Sequence, residues 1–300
     1  MKMLSLFTAV VLASAAGAFA QQQRPISIEV IASFDYPGEG NSTSAQGIND
    51  QGDITGSYDD TNGVTRGFVR YSNGAFSEPI VEPNDAAGFT FPRDINNSVT
   101  LGGTYADAND FLHGFLLSGT TYIEVDFPGS DSTTIGGLND AGDVVGDFTV
   151  PGAFFEKAFA EIGGTATPLE IPRAKAGTGY GINNRGEIVG NYTEIGTGRG
   201  RGFFRAADGT VTAPIEPRGS IFAFISCINE SGVIVGRYTS ADGVRHGLVM
   251  KLPHSSLTFD YPGAIFTSVS GINNQGYVTG RFQNDDGIFH SYLGRVRFGR

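Results

Sequence analysis

The chain has 300 residues, a formal net charge of −11 and a single cysteine, Cys227. The acidic balance argues against a nucleic-acid partner and against adhesion to anionic lipid, since both need a basic surface. A lone cysteine excludes an internal disulfide, so stability must come from core packing, for which 23 Phe and 11 Tyr supply strand-favouring aromatic side chains.

Residues 1–20 have the pattern of a secretory signal peptide. Lys2 precedes an apolar run that ends in Ala18, Phe19 and Ala20. The run is short for a membrane anchor, and no cysteine follows it that would carry a lipid. The sequence therefore predicts an exported chain without membrane insertion, periplasmic or extracellular after cleavage near Ala20. Residues 21–25 are expected to form a flexible leader, and residues 26–300 a single domain.

The first predicted strand, residues 26–36, alternates in polarity and is rich in β-forming residues. It ends in the segment Asp35-Tyr36-Pro37-Gly38, and related endings recur about every 45 residues. Proline has no amide donor for a ladder, so it closes a strand or lies at an edge. The recurring proline therefore indicates that one strand of each repeat ends there.

A second motif, GINDQGDITGSY from Gly47, recurs five more times. Its asparagines define repeats 1 to 6 and are Asn49, Asn96, Asn139, Asn183, Asn229 and Asn273. In repeat 1 the pattern predicts four strands, which end at residue 49 and then span 53–58, 66–71 and 76–81. No segment has a sustained helical period, so almost no helix is expected. Six units of this length predict an all-β, six-bladed β-propeller with four-stranded antiparallel blades.

The two ends of the chain predict how the ring closes. The last repeat has little room for a fourth strand, and residues 26–36 resemble the fourth strands of the internal repeats. We therefore expect this N-terminal strand to complete the C-terminal blade, which removes a free edge. The alternative is an open solenoid, whose two edges the sequence does not visibly cap.

The combination of FDYPG, GINxxGxxxGxY and HGF resembles the HAF family of extracellular repeats found in exported bacterial proteins. The resemblance covers nearly the whole chain after residue 20, although His precedes Gly-Phe only at His113. It implies an exported repeat protein and supplies no reaction.

Residues that occur in every repeat are predicted to serve the fold. Strand glycines indicate a bulge or a close backbone approach, and they are Gly56, Gly103, Gly146, Gly190, Gly236 and Gly280. The basic residues before the third-strand apolar pair are expected to make structural hydrogen bonds or ion pairs with a nearby Asp or Glu, rather than to bind a metal. They are Arg66, His113, Lys157, Arg201, His246 and His290. Cys227 replaces a glycine and is expected to be a small buried thiol, not a nucleophile.

Ligand-binding candidates lie in the loops between second and third strands, on one face of the predicted ring. They are Asp59, Asp60, Asp107, Asp110, Glu194, Arg199, Arg201, Asp285 and Asp286. Such acidic loops suit Ca²⁺, but none fits the EF-hand register, so solvated turn residues are the favoured interpretation and no metal or other cofactor is predicted. Pattern-breaking loops at 84–91, 151–156 and 194–201 are further candidates.

No catalytic motif of a serine hydrolase or zinc protease is present. The sequence therefore favours a non-catalytic binding or scaffold module, with a glycan or a protein as ligand at the loop face. The alternative is a polysaccharide lyase or glycoside hydrolase on a propeller scaffold, which would need paired carboxylates that converge in space.

Overall fold

The structure is a computed structural model, and it describes residues 27–38, 42–253 and 255–297. The predicted signal peptide and leader lie outside these residues. The strands of the first half are β1 (Ser27–Phe34), β2 (Thr43–Ile48), β3 (Ile54–Asp59), β4 (Thr65–Arg70), β5 (Thr90–Ile95), β6 (Thr100–Ala106), β7 (Leu112–Ser118), β8 (Thr121–Glu124), β9 (Ser132–Leu138), β10 (Val144–Thr149), β11 (Lys157–Ile162) and β12 (Thr165–Pro168). The strands of the second half are β13 (Ala174–Ile182), β14 (Ile188–Glu194), β15 (Gly200–Arg205), β16 (Val211–Ile215), β17 (Phe222–Ile228), β18 (Val233–Thr239), β19 (Arg245–Lys251), β20 (Ser255–Phe259), β21 (Phe266–Ile272), β22 (Tyr277–Gln283) and β23 (Phe289–Arg297).

Within each repeat, consecutive strands pair antiparallel. β5–β8, β9–β12 and β13–β16 form separate four-stranded sheets. β17–β20 pair in the same way, and one parallel pair, Arg245 with Phe266, joins them to the sheet of β21, β22, β23 and β1. The arrangement is an all-β propeller with four-stranded antiparallel blades, as predicted, and the described residues contain no helix. Repeat 1 departs from the prediction at 76–81, where only two isolated bridges form, Arg70 with Phe76 and Gly67 with Ile80. Pro79 explains the departure, because it lacks the amide donor that a continuous ladder needs.

The first and last strands of the chain lie side by side. β1 pairs antiparallel with β23, from Ser27 opposite Arg297 to Phe34 opposite Ser291. The predicted strand at 26–36 is therefore present as β1, hydrogen-bonded to the last strand. Ile28 and Val30 of β1 pack against the same apolar cluster as Tyr292.

The core is built from the same positions of every repeat. The third-strand positions are all buried below 2 % exposure, and they are Phe68, Phe115, Phe159, Phe203, Leu248 and Tyr292. Aromatic residues of the proline motif stack on the second strand of the next repeat, as Phe127 does on Phe148 with ring centroids 3.7 Å apart. Because each sheet buries its faces against its neighbours, the core continues from one repeat to the next.

The glycines of the second strands are required by close backbone contact, as predicted. A Cβ on Gly146 would collide with the carbonyl oxygen of Thr134 on the first strand. A register shift in each first strand accompanies this contact, for example between Pro92 and Asp94 in β5. The residue inside the shift, Arg93 in this repeat, is thereby displaced from the ladder.

Candidate functional site

The motif asparagines form a continuous circuit of hydrogen bonds. In each repeat the Asn Oδ1 accepts backbone N–H groups of its own turn, as Asn229 does from Ser231 and Val233 at 3.0 Å. The Nδ2 donates to the backbone carbonyl of the asparagine in the next repeat. In order, the acceptors belong to Asn96, Asn139, Asn183, Asn229, Asn273 and Asn49, at 3.3, 3.1, 3.4, 3.2, 3.0 and 2.9 Å. Thus the motif links the repeats as well as shaping their turns.

A second circuit lies one residue further along each turn. Acidic and amide side chains alternate in it, in the order Asp50, Asn97, Asp140, Asn184, Glu230 and Asn274. Each backbone N–H donates to the side-chain oxygen of the next residue, from Asp50 to Asn97 at 2.8 Å through to Asn274 back to Asp50 at 2.8 Å. Alternation places every carboxylate between two amides, so that like charges are never adjacent.

Hydrogen bonding favours the ionised form of one of these carboxylates, Asp140. Burial raises the pKa of Asp140, but hydrogen bonds from the Asn97 backbone and from the Asn184 and Asn97 side chains outweigh it and lower the pKa overall. The cavity that the two circuits enclose has a volume of about 70 Å³. This end of the propeller is therefore held together tightly and offers little room for a ligand.

Deeper in the channel, the displaced residues of the first strands line a cavity of about 10 Å³, the size of one water molecule. Burial raises the pKa of Asp94, which borders it, to about 7. Burial and the neighbouring Asp94 raise the pKa of Cys227, also in its wall, to about 12. The thiol is therefore protonated and unreactive at neutral pH, as expected for a structural cysteine.

A second channel carboxylate, Asp147, also has an elevated pKa. Burial raises it to about 6, against the lowering effect of hydrogen bonds from Thr134 and Thr178. Carboxyl groups with raised pKa values are candidates for acid–base catalysis. However, both oxygens of Asp94 accept backbone N–H groups, of Ile95 at 2.9 Å and Leu138 at 3.2 Å. The water-sized cavity beside Asp94 does not admit a sugar ring.

Five of the six basic residues of the third strands pair with a carboxylate, as predicted. The contacts are Arg66–Asp60 at 3.2 Å, His113–Asp126 at 2.6 Å, Arg201–Glu194 at 3.0 Å, His246–Asp260 at 2.8 Å and His290–Asp35 at 2.8 Å. In repeat 4, Arg201 also contacts Glu216 at 2.6 Å. These pairs tie the third strand to the adjacent loop or to the proline motif, which is a structural role.

One of these pairs has a third acidic neighbour. Atoms of His113, Glu124 and Asp126 lie within 4.8 Å of one another, a spacing at which a metal ion could be held. However, His113 Nδ1 is occupied by Asp126, and Tyr105 donates to Glu124 Oε2 at 2.8 Å. The same histidine–aspartate pair occurs at His246 without a third acid, so structural pairing accounts for this cluster.

The predicted loop residues mainly close their own loops. Asp60 accepts the backbone N–H groups of Asn62 and Val64, and Asp107 those of Asn109 and Phe111. Asp286 accepts Ile288 N–H and contacts His290, while Asp110 takes the left-handed turn conformation at φ 64°.

The remaining predicted residues are held in the same way or lie at the surface. Thr65 donates to Asp59, Glu194 contacts Arg201, and Arg199 donates to the Ser220 carbonyl at 2.6 Å. Asp285 is exposed. These contacts explain why the loops are acidic, and ligand or calcium binding there stays a prediction.

A groove between repeats 4 and 5 has a volume of about 870 Å³. Its floor is apolar and consists of Phe204, Ile215, Ile234, Met250 and Leu252. Its polar wall consists of Arg185, Glu187, Glu216, Arg218 and Lys251. The volume falls in the range of small-molecule sites, about 300–1,000 Å³, which are mostly apolar with a few polar groups. Sequence analysis missed this groove, because its floor residues occupy ordinary strand positions.

Comparison with known proteins identifies the fold. No family model and no curated protein sequence matches the chain. TolB from Acinetobacter baumannii superposes with a TM-score of 0.55 and 11 % identity, over 87 % of this chain and 66 % of TolB. The β-propeller domain of the Trilobed protease from Pyrococcus furiosus gives 0.53 and 8 %, over 86 % and 83 % of the two chains. The Aleuria aurantia lectin, a six-bladed propeller that recognises fucose, gives 0.47 and 11 %, over 85 % and 95 %. The chain is thus similar in fold to β-propeller proteins.

In the part of this chain that the structure describes, no helix is long and apolar enough to cross a membrane.

Proposed function

We propose that this protein is an exported, non-catalytic binding module, built on six blades that close into a ring through the N-terminal strand. The 23 strands fit six blades when β17–β20 and β21–β23, joined only by the parallel pair of Arg245 with Phe266, are counted as two blades. The pairing of β1 with β23 supports the closure. The hydrogen bond from Asn273 Nδ2 to the Asn49 carbonyl, 224 residues apart in the chain, supports it independently.

Export is proposed from the sequence. Residues 1–20 have the three parts of a secretory signal, and the repeat motifs resemble those of the HAF family. A net charge of −11 suits a protein that stays in solution outside the cytoplasm.

The groove between repeats 4 and 5 is the proposed ligand site, and its size is the observation that carries the proposal. The groove is open along one side and combines an apolar floor with the exposed cations Arg218 and Lys251. Apolar area supplies affinity, and a few fixed polar groups orient the ligand. A glycan chain or an extended peptide of another protein fits such a groove.

Binding without catalysis is the better-supported function. A lyase or glycoside hydrolase needs two carboxyl groups on either side of a sugar-sized space. The carboxyl groups with strongly raised pKa values, Asp94 and Asp147, belong to the channel. The acids of the groove include Glu187, whose pKa is lowered because its hydrogen bonds from Arg185 and Asn183 outweigh burial.

A glycan array and a peptide library, probed with the chain lacking residues 1–20, test the proposal. The double variant Arg218→Glu and Lys251→Glu reverses the charge of the rim and should abolish binding of any hit. Lys157→Glu, an exposed charge reversal away from the groove, is the matched control and should bind normally.

Two results would contradict the proposal. Binding that survives the double variant would place the ligand elsewhere, and turnover of a bound glycan would mean that the protein is an enzyme.

A further inference from the structure

Three arginines lie around the propeller channel at positions where most repeats have small or neutral residues. Arg93 occupies the register shift of β5, where other repeats have Gln46, Gly136, Tyr180, Ser226 and Ser270. Arg237 and Arg281 directly follow the second-strand glycine, where other repeats have Ser57, Thr104, Asp147 and Asn191. The propeller therefore does not need arginine at these positions.

Side-chain contacts connect the three arginines across several repeats. Arg93 lies over the Tyr180 ring at 4.9 Å, and Tyr180 contacts Phe224 with ring centroids 4.7 Å apart. Arg237 in turn lies over Phe224 at 4.1 Å.

Phe266 continues the series of contacts, because Arg237 lies 6.0 Å and Arg281 5.7 Å from its ring centroid. Arg281 then donates to Ser44 Oγ of repeat 1 at 3.0 Å. These residues, Arg93, Arg237 and Arg281, form what we call the axial arginine cluster.

The cluster lies away from the asparagine circuits. Arg237 is opposite Phe224, five residues before Asn229 in the chain. At about 3.3 Å per residue, the separation along the strand is about 15 Å. Arg237 therefore lies toward the loop end of the channel, whereas the circuits close the turn end. Arg93 lies between the two, in the wall of the water-sized cavity.

The positive charge of the cluster is only partly balanced within the described residues, where the carboxylate of Asp59 acts on Arg281 and those of Asp94 and Asp147 act on Arg93. Among residues 27–38, 42–253 and 255–297, none of the three guanidinium groups forms an ion pair, and Arg237 has only aromatic contacts. Each of the three side chains keeps part of its surface exposed. Burial and the neighbouring Arg281 and Arg93 lower the pKa of Arg237 to about 10, and burial and Arg93 lower that of Arg281 to about 10.

Three carboxyl groups lie nearby and also have other partners, and the first of them, Asp59, accepts the Thr65 hydroxyl at 2.8 Å. Asp94 accepts backbone N–H groups, and Asp147 accepts the Thr134 hydroxyl at 2.5 Å. Stacking of arginine on aromatic rings stabilises many proteins. Stacking alone does not explain three cations that repel one another in a protein of net charge −11.

We propose that the axial arginine cluster binds the oxyanion group of a small acidic ligand, a carboxylate, sulfate or phosphate. The planar guanidinium offers paired N–H donors that match the oxygens of such a group. Aromatic rings on one side of each arginine hold its N–H donors in position before a ligand binds. This site is separate from the groove between repeats 4 and 5, and it does not rest on the function proposed for that groove.

Isothermal titration of the chain lacking residues 1–20 tests the proposal, at low ionic strength with sodium sulfate, inorganic phosphate, glucuronate and uncharged glucose. The three anions should bind saturably and glucose should not, and the order of the anions identifies the preferred source of the oxyanion. Arg237→Gln and Arg281→Gln should each weaken binding by about tenfold or more, since each removes a charge-assisted hydrogen bond. Arg297→Gln, an exposed arginine that pairs with Glu29 away from both the groove and the cluster, is the matched control and should leave anion binding unchanged.

Circular dichroism and thermal melting establish that each variant is folded. If a glutamine variant does not fold, Arg237→Lys replaces it in the test. Lysine keeps the positive charge but lacks the paired N–H donors of the guanidinium group, so this variant should weaken anion binding without abolishing it. The proposal is overturned if no anion binds saturably, if glucose binds equally well, or if folded Arg237 and Arg281 variants bind like the natural protein.

Discussion

The stability of the Asp94→Gly variant relative to the natural protein should increase as the pH rises from acid to alkaline. Glycine is the residue at this position in four of the other five repeats. The pKa of Asp94 is raised from 3.8 to about 7, chiefly by burial. A carboxyl group with a raised pKa in the folded state costs no stability below its unfolded pKa. Its cost grows as the pH rises toward the folded value and is complete above it.

The expected magnitude follows from the size of the shift. At about 1.4 kcal/mol per pH unit, the ionisation of Asp94 costs the folded state up to about 4 kcal/mol at about pH 8. The substitution also removes the acceptor of two backbone N–H groups, which costs about 1–3 kcal/mol for each group left buried. The loss of these two hydrogen bonds does not depend on pH. Any change with pH in the stability difference between the two proteins therefore reports the ionisation of Asp94.

Urea denaturation of both proteins at about pH 4, about pH 6 and about pH 8 measures the difference in unfolding free energy. This difference should move in favour of Asp94→Gly by up to about 4 kcal/mol across the series. Asp285→Gly, at an exposed turn, is the control and should show no comparable trend. A difference that stays constant with pH would refute the reasoning.

Three further substitutions test the asparagine circuit and the histidine pairs. Asn229→Asp and Asn273→Asp keep the turn acceptor but remove the Nδ2 donor, whose acceptors are the Asn273 and Asn49 carbonyls. Both should lower the unfolding free energy by about 1–3 kcal/mol, and a cost at Asn229 without one at Asn273 would contradict a continuous circuit. Burial lowers the pKa of His113, but the hydrogen bond and charge of Asp126 outweigh it and raise the pKa overall. The folded protein then gains stability from this proton below about pH 6.5 and loses the gain as the pH rises through the folded pKa. His113→Gln should therefore cost up to about 1 kcal/mol more at about pH 5 than at about pH 8.5, and equal costs in urea denaturation would contradict the assignment.

The repeated positions were predictable because the strands of every repeat pack against their neighbours in the same way. Phe68 and its counterparts recur at one strand position, and Gly146 and its counterparts at another, so the pattern alone indicates burial and close contact. That His113 would pair with an acidic residue was predictable, because each repeat places a basic residue beside an acidic motif. Its partner in the structure is Asp126.

The contacts between repeats were not predictable from spacing. The turn around Asn49 was expected, but its Nδ2 reaches Asn96 only because neighbouring turns lie side by side in the folded propeller. The alternation of acidic and amide residues that begins at Asp50 is visible in the sequence, and its meaning depends on the same adjacency. Similarly, Arg93 becomes a channel residue through a register shift, which periodicity does not reveal.

The candidate sites were the least predictable part of the molecule. Acidic loops such as the one at Asp60 have a composition typical of calcium loops, yet their carboxylates also cap their own turns. The groove is formed by Phe204 and Met250, which belong to different repeats and have the pattern of ordinary core residues. A cavity arises where two sheets fail to fill the space between them, and that depends on packing in three dimensions.

Removal of residues 27–36 tests the closed ring most directly. This deletion takes away β1, whose pairing with β23 joins the two ends of the domain. The account predicts that the whole protein melts at a temperature lower by about 10 °C or more, since about 1 kcal/mol corresponds to about 2–4 °C in a domain of this size. Deletion of residues 21–25 alone is the control and should leave the melting temperature unchanged. If the chain without β1 melts at the temperature of the full chain, the ring is not closed in this way.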